Sequence, residues 1–289
     1  MSLKSTLRTP CGTSSSTTAL VRSRSSTRRH DKEPQLNAIP APENYPDSYF
    51  AGAYWGPRRE SPEECAGRAA AFLNGLAEHD PLLAHWNKIP KPRGRGRKTP
   101  LMPPDLATLT EAFHRGVNRE PGGPDIERLG LTVGAYNDGS RHDYSSLSMC
   151  CGSCAEGLPN LCLLSLPSEG PNAERIFTAH VLSGVVRSMV HAWDPDWAVA
   201  ISRTHRNLDD QGGRDNLWVG WVTYLANHRG KVPPLPAPVR IEPVEDKGTL
   251  IVLTPERFTV TNPEHVALSR RVRELLARAG LVKPLQAQP

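Results

Sequence analysis

Residues 48–55 read Ser-Tyr-Phe-Ala-Gly-Ala-Tyr-Trp, and six residues further on Ser61-Pro-Glu-Glu64 opens a run with apolar residues at Cys65, Ala69, Phe72, Leu73 and Leu76. This pair of segments constrains the fold most. The first is an aromatic-rich strand stopped by Gly56-Pro57. The second is a helix start in full: Ser61 as N-cap, Pro62 at N1, and Glu64 at N3 to close a capping box. Its apolar spacing makes one stripe along a helix. A strand and a helix that each need an apolar cover, joined by only a few residues, must share one core.

The rest of the chain continues the mixture. Asp80-Pro81 ends or kinks the first helix, and residues 88–104 read as a basic, Pro/Gly-rich surface loop. A short helix is expected from about Asp105 to Arg115. Strands are expected at 129–136, 144–151 and 161–166, with Asn137-Asp138-Gly139 as a turn after the first. A second long helix is expected from about Asn172 to His191, on the repeat Ile176, Ala179, Leu182, Val186 and Val190. Strands follow at 197–201 and 217–225, then a proline-rich connector (232–238) and two strands near 239–243 and 249–254, with Asp246-Lys247-Gly248 as their turn. A last helix starts at Asn262-Pro263-Glu264, carries the stripe Leu268, Val272, Leu275, Leu276 and Ala279, and stops at Gly280. There is no internal repeat and no strict βαβ alternation. The expected class is therefore α+β, with a mixed or antiparallel sheet and about three main helices in a single domain.

The 289 residues suffice for one large domain or two small ones, and 28 prolines imply many loops. The net charge of +5 is unevenly placed. Residues 1–45, rich in Ser, Thr and Arg and poorer in apolar residues than the rest of the chain, hold seven Lys/Arg against three Asp/Glu. They read as a disordered tail, with the folded domain at 46–284. The run 88–98 holds six further positive charges, so the remainder is mildly acidic. The basic balance therefore does not argue for a nucleic-acid-binding fold. No apolar run approaches the roughly 18 residues that span a bilayer. Arg28-Arg29 is followed by no apolar segment of the kind a secretory or twin-arginine signal needs, so a cytoplasmic location is expected.

Cys150-Cys-Gly-Ser-Cys154 is the sharpest catalytic temptation. Cys151-Gly-Ser-Cys154 matches the start of a papain-type nucleophile signature, but Ala155 stands where Trp or Tyr should follow. The partner histidine should lie roughly 130 to 150 residues downstream, whereas His265 is 111 away. The same Cys151 and Cys154 would supply half of a zinc knuckle, with Cys150 and Cys162 as further thiols. The spacing fits no standard site, and free cysteines in strands are usually inert. A zinc- or thiol-dependent hydrolase using Cys151 and Cys154 remains the rival reading. His180 and His191 could share a helix face, and His191 beside Asp194 and Asp196 could act as a base or simply complement a helix C-terminus. No phosphate-binding loop, dinucleotide fingerprint, nucleophile elbow or His-Glu-x-x-His stretch is present, and no catalytic residue, metal or cofactor is assigned.

Trp55, Trp193, Trp197, Trp218 and Trp221 fall at expected element ends, where tryptophan serves either the core or a binding hot spot. Asp194, Asp196, Asp209, Asp210 and Asp215 cluster with them in sequence. An acidic patch flanked by tryptophans suits a surface that mimics phosphate and plugs a basic cleft. Asp194, Asp196, Asp209, Asp210, Trp197 and Trp218 are the candidate partner-binding residues.

Four segments together resemble a known family. They are Tyr49-Phe-Ala-Gly-Ala-Tyr-Trp-Gly-Pro-Arg-Arg-Glu-Ser61, Asp80-Pro-Leu-Leu-Ala-His-Trp86, Val219-Gly-Trp-Val-Thr-Tyr-Leu225, and Val244-Glu-Asp-Lys-Gly-Thr-Leu-Ile-Val-Leu-Thr254 with Phe258 and Asn262-Pro263. From about residue 48 to 283 the chain resembles the immunity protein 52 family of bacterial polymorphic toxin systems. The resemblance implies an α+β fold and a non-catalytic protein that binds a cognate toxin encoded by a neighbouring gene. It further implies a toxin that carries a restriction-endonuclease-like DNase domain, often delivered by contact-dependent secretion. Direct nucleic-acid binding and membrane insertion are not expected. The long tail and the basic loop depart from the family pattern; a tail that binds nucleic acid predicts steeply salt-dependent binding lost with residues 1–45.

Overall fold

A computed structural model describes residues 47–89, 98–119, 123–140, 142–208 and 217–285. Nine strands form one sheet in the order β2-β3-β4-β5-β1-β6-β7-β9-β8. They are β1 (Tyr49–Trp55), β2 (Asn87–Lys88), β3 (Leu131–Tyr136), β4 (Ser146–Cys151), β5 (Asn160–Ser165), β6 (Trp197–Ser202), β7 (Val222–Ala226), β8 (Arg240–Val244) and β9 (Gly248–Val252). Every pairing is antiparallel, so of the two sheet types left open by the sequence the antiparallel one is realised.

The helices are α1 (Pro62–Ala77), α2 (Leu106–Arg115), α3 (Pro171–Ile176), α4 (Ala179–Trp193), α5 (Arg203–Leu208) and α6 (Pro263–Arg278). Four of them have ten residues or more. The capping box forms as expected: Ser61 accepts from the Glu64 amide, and Glu64 accepts from the Ser61 amide. The five apolar positions of the α1 stripe are all fully buried. Gly280 adopts a left-handed φ of 71°, and the bonds from Gly280 N–H to Ala277 and from Leu281 N–H to Leu276 close α6 with a Schellman turn.

Three expectations are corrected. The helix expected over 172–191 is two helices, because Thr178 is extended (φ −125°, ψ 149°) and its hydroxyl caps α4 through the Val181 amide. The stretch 217–225 is strand only from Val222; residues 217–221 are irregular and pack back over β6, with the Gly220 α-carbon so close to the Ala200 carbonyl that a β-carbon there would stand 2.4 Å from it. The strand expected from Tyr144 begins at Ser146, so the connection after β3 runs from 137 to 145. Asn137 is buried, donates to the Leu82 carbonyl and accepts from the Ser145 amide, holding that loop onto the first helical layer. Most of the basic loop (90–97) and the tail (1–45) lie outside the described residues.

The layers follow from strand alternation. Ala51, Ala53 and Trp55 of β1 face α1 and α4: Trp55 stacks on Trp193 at 5.4 Å, and Phe72 meets Trp193 edge-on at 6.4 Å. Phe50, Gly52 and Tyr54 face the other way. In the centre (β1, β6, β7) nearly every residue is buried, so both faces are covered. In β3, β4 and β5 burial alternates strictly, and the face opposite the helices is half-exposed. On the covered side of the centre, α6 is tied to the irregular segment by bonds from Ser269 to the Val219 carbonyl and from Arg273 to the Leu217 carbonyl.

Candidate functional site

The end of β1, the start of β6 and the end of β7 meet at one edge of the molecule. Asp196 fastens them. Its carboxylate is only 2% exposed; one oxygen accepts the Gly56 amide at 2.9 Å and the other faces His228 Nε2 at 2.6 Å. Its backbone bonds Tyr54 and Ala226, so one residue links all three strands. A carboxylate in so dry a place is tolerable only because both oxygens are partnered.

The next residue, Trp197, points to the other face. It stacks on Tyr54 at 4.4 Å, and Trp218 meets both rings edge-on at 5.7 and 6.2 Å. These three rings floor a cavity of about 260 Å³, walled by Leu158 and Pro159 from the β4–β5 loop and by Lys283, Pro284 and Leu285. That volume is just below the range of roughly 300–1,000 Å³ that small-molecule sites occupy, and is enough to admit one large side chain. Burial pushes the Tyr54 phenol up to about 12, against the pull of Arg206 and Arg203, so the ring enters the socket neutral at any ordinary pH.

On the other side of Asp196 lies an acidic rim. Asp194 closes α4 in the left-handed region (φ 48°), a conformation aspartate tolerates, and its carboxylate is exposed and paired with Lys247 at 3.0 Å. Asp194, His228, Asp246 and Lys247 line one shallow hollow, and Glu245, two-thirds exposed, faces His191 at 3.8 Å. A larger cleft between the start of α1 and β3, lined by Arg59, Glu60, His114, Asp125 and Glu127, is occupied by its own ion pairs.

The six candidates read from the sequence thus part company. Trp197 and Trp218 come together in the socket. Asp194 is on the exposed rim; Asp196 is spent inside as a fastener. Asp209 and Asp210 lie outside the described residues. Trp55, Trp193 and Trp221 are wholly buried core. Tyr54, Leu158, His228 and the 283–285 segment were missed; only Tyr54, a second aromatic at a strand end, gave a sequence signal.

Cys151 and Cys154, the pair of the rival reading, do not share one environment. Cys151 is buried, and its thiol is pushed far up by a hydrogen bond with Cys65 and by burial, whereas Cys154 faces solvent. A thiol held so firmly protonated is a poor nucleophile and metal ligand. Among the described residues no group of three or more His, Cys, Asp or Glu is placed to hold a metal ion. His180 and His191 are both exposed, and His191 sits in the last turn of α4.

An aromatic cavity on one side of Asp196 and an exposed acidic rim on the other have the make-up of a protein-docking surface. Sequence comparison gives the class: the family described as immunity protein 52 matches residues 47–285, and the chain belongs to it. Immunity proteins act by binding a cognate toxin. No curated protein matches the chain. Among solved structures it is similar to a type VI secretion system protein of Pseudomonas aeruginosa, at 12% identity and a TM-score of 0.47, over 82% of this chain and 76% of that one. Among the described residues no helix is long and apolar enough to cross a membrane.

Proposed function

We propose that this immunity protein neutralises a nuclease toxin of the restriction-endonuclease-like class, encoded by a neighbouring gene, by stoichiometric binding in the cytoplasm and without chemistry of its own. The observation that carries the reading is the pair of features that Asp196 links: the Tyr54–Trp197–Trp218 cavity on one side, and the exposed carboxylates of Asp194, Glu245 and Asp246 on the other. A DNase must hold a basic cleft for its substrate, and a carboxylate rim complements such a cleft while the socket supplies an apolar anchor. Asp209 and Asp210, which precede Trp218 by a few residues in sequence, belong to the same proposed acidic surface.

The test is co-expression with the toxin of the adjacent gene, co-purification and a DNA-cleavage assay. A stable complex without nuclease activity supports the reading; active toxin recovered free of this protein overturns it. Within a complex, Trp218→Ala should weaken binding by about 10–100-fold, as loss of an aromatic anchor does.

A further inference from the structure

The half-exposed face of the β4–β5–β1 region carries the opposite charge. Arg203 and Arg206, one turn apart at the start of α5, both lie over the Phe50 ring, at 5.4 and 5.8 Å, and Arg206 also lies over Trp218 at 5.8 Å. Stacking holds each guanidinium flat while leaving its N–H edge free. Neither arginine pairs with a carboxylate among the described residues. Among the described residues the side chain of Arg203 donates only to Ser165 Oγ, at 3.4 Å, and that of Arg206 only to the side chain of its neighbour Asn207. Arg58, Arg68, Arg175 and Arg187, by contrast, each face an acid. Asp47, close by in the fold, gives one oxygen to the Thr204 amide and makes no ion pair among the described residues.

Arg203 heads a cavity of about 450 Å³ whose wall is rich in hydroxyls, from Ser48, Ser146, Ser165 and Tyr144. The strand register places Ser146 opposite Ser165 and Ser165 opposite Phe50, so these groups are neighbours on one face. Among the described residues the hydroxyls of Ser48, Ser146 and Tyr144 make no hydrogen bond. A planar fork of N–H donors beside a set of free O–H donors is the donor array that a carboxylate accepts.

We propose that this cavity receives a carboxylate from an acidic segment of the toxin, with Arg206 and Trp218 continuing the contact from Arg203 to the aromatic socket. The inference rests on the immunity reading and adds what the partner must present: an apolar anchor for the socket and an acidic stretch beside it. Charge complementarity selects a protein segment over a nucleic acid, because two arginines and Lys283 are few against the roughly six to ten phosphate contacts of a nucleic-acid site.

The experiment is calorimetric titration of the toxin into the full chain and into Arg203→Ala/Arg206→Ala. The double variant should bind about 10–100-fold more weakly, with a flatter salt dependence. Arg203→Lys should recover only part of the loss, since an ammonium cannot reproduce the fork. Titrated directly into the wild-type chain with no toxin present, poly-glutamate should bind and lose that binding in the double variant, while a duplex oligonucleotide of equal charge should not bind. Equal affinity of wild type and double variant overturns the inference and leaves the immunity reading intact. Direct binding of the oligonucleotide and not of poly-glutamate overturns the assignment to a protein carboxylate. Failure of the wild type to bind the toxin overturns the immunity reading instead; direct titration of poly-glutamate then decides the cavity separately, as it also does should the double variant fail to fold.

Discussion

Asp196→Ala isolates what one buried carboxylate does at the candidate site. The substitution leaves the buried Gly56 amide without an acceptor and His228 without a partner. A buried hydrogen bond to a charged group contributes about 1.5–3 kcal/mol, and an orphaned buried donor costs about 1–3 kcal/mol. The His228 contact is discounted to at most about 1 kcal/mol, because the imidazole is half-exposed. These contributions overlap, so the expected loss is about 2–4 kcal/mol. For a domain of this size that lowers Tm by roughly 5–15 °C. Differential scanning calorimetry measures it, and near-ultraviolet circular dichroism reports the Trp197 stack. Asp196→Asn, which keeps the shape and one acceptor, should lose about half as much. Toxin affinity of the folded variant should stay close to wild type, because the carboxylate is withdrawn from the surface. A Tm within about 1 °C of wild type would refute the fastening role. A large affinity loss without a Tm change would return Asp196 to the toxin contact.

Four further outcomes are expected. Gly220→Ala should destabilise by about 2–3 kcal/mol in urea denaturation, because its β-carbon would press on the backbone of Ala200 and on Ile201. Burial between Phe258 and α6 lowers His205 to a pKa of about 4, so the fold holds it neutral while the unfolded chain protonates it near pH 6.5. Its share of stability is complete above pH 6.5 and falls by about 3 kcal/mol as pH drops to 4; His205→Gln should flatten that slope in denaturation at pH 7.5 and 5. In a Cys11→Ser background an aromatic disulfide reagent should label Cys154 first, and Cys65, Cys151 and Cys162 only after unfolding. Trp193→Ala should cost about 3–5 kcal/mol, since it removes the ring on which Trp55 stacks and against which Phe72 packs.

The sequence was legible where local chemistry and burial agree. Ser61-Pro-Glu-Glu64 has no other use than a helix start, and the stripe from Cys65 to Leu76 is buried as read. Legibility failed where a polar residue was buried by a distant partner. In α6 the inward stripe is His265, Ser269, Val272 and Leu276, not the expected Leu268-to-Ala279 run: Leu268 and Leu275 are only half-buried, and Ala279 is exposed. His265 accepts from the Thr259 amide and Ser269 donates to the Val219 carbonyl, bonds that no apolar period reveals. The break between α3 and α4 was hidden because the apolar repeat runs on through Ile176 and Ala179, although Thr178 is an N-cap residue. Asp194 and Asp196 look alike in sequence; a left-handed helix end turns one outward, and Gly56 and His228 hold the other inside. The arginine face gave no signal, because stacking Arg203 and Arg206 on Phe50 depends on strand register.

The strand first in sequence is at the middle of the sheet. β1 is bonded to β5, more than a hundred residues later, and to β6, later still. At translation rates of roughly 5–20 residues per second, the aromatic strand waits on the order of 5–20 seconds for its first neighbour to be made. During that time Trp55 has α1 to shelter against, whereas Phe50 and Tyr54 point away from that helix and wait for β6 and α5. A cell already exposed to toxin would then be protected only after a delay set by synthesis and late closure of the sheet, so a folded reserve of the protein must be present before the toxin arrives.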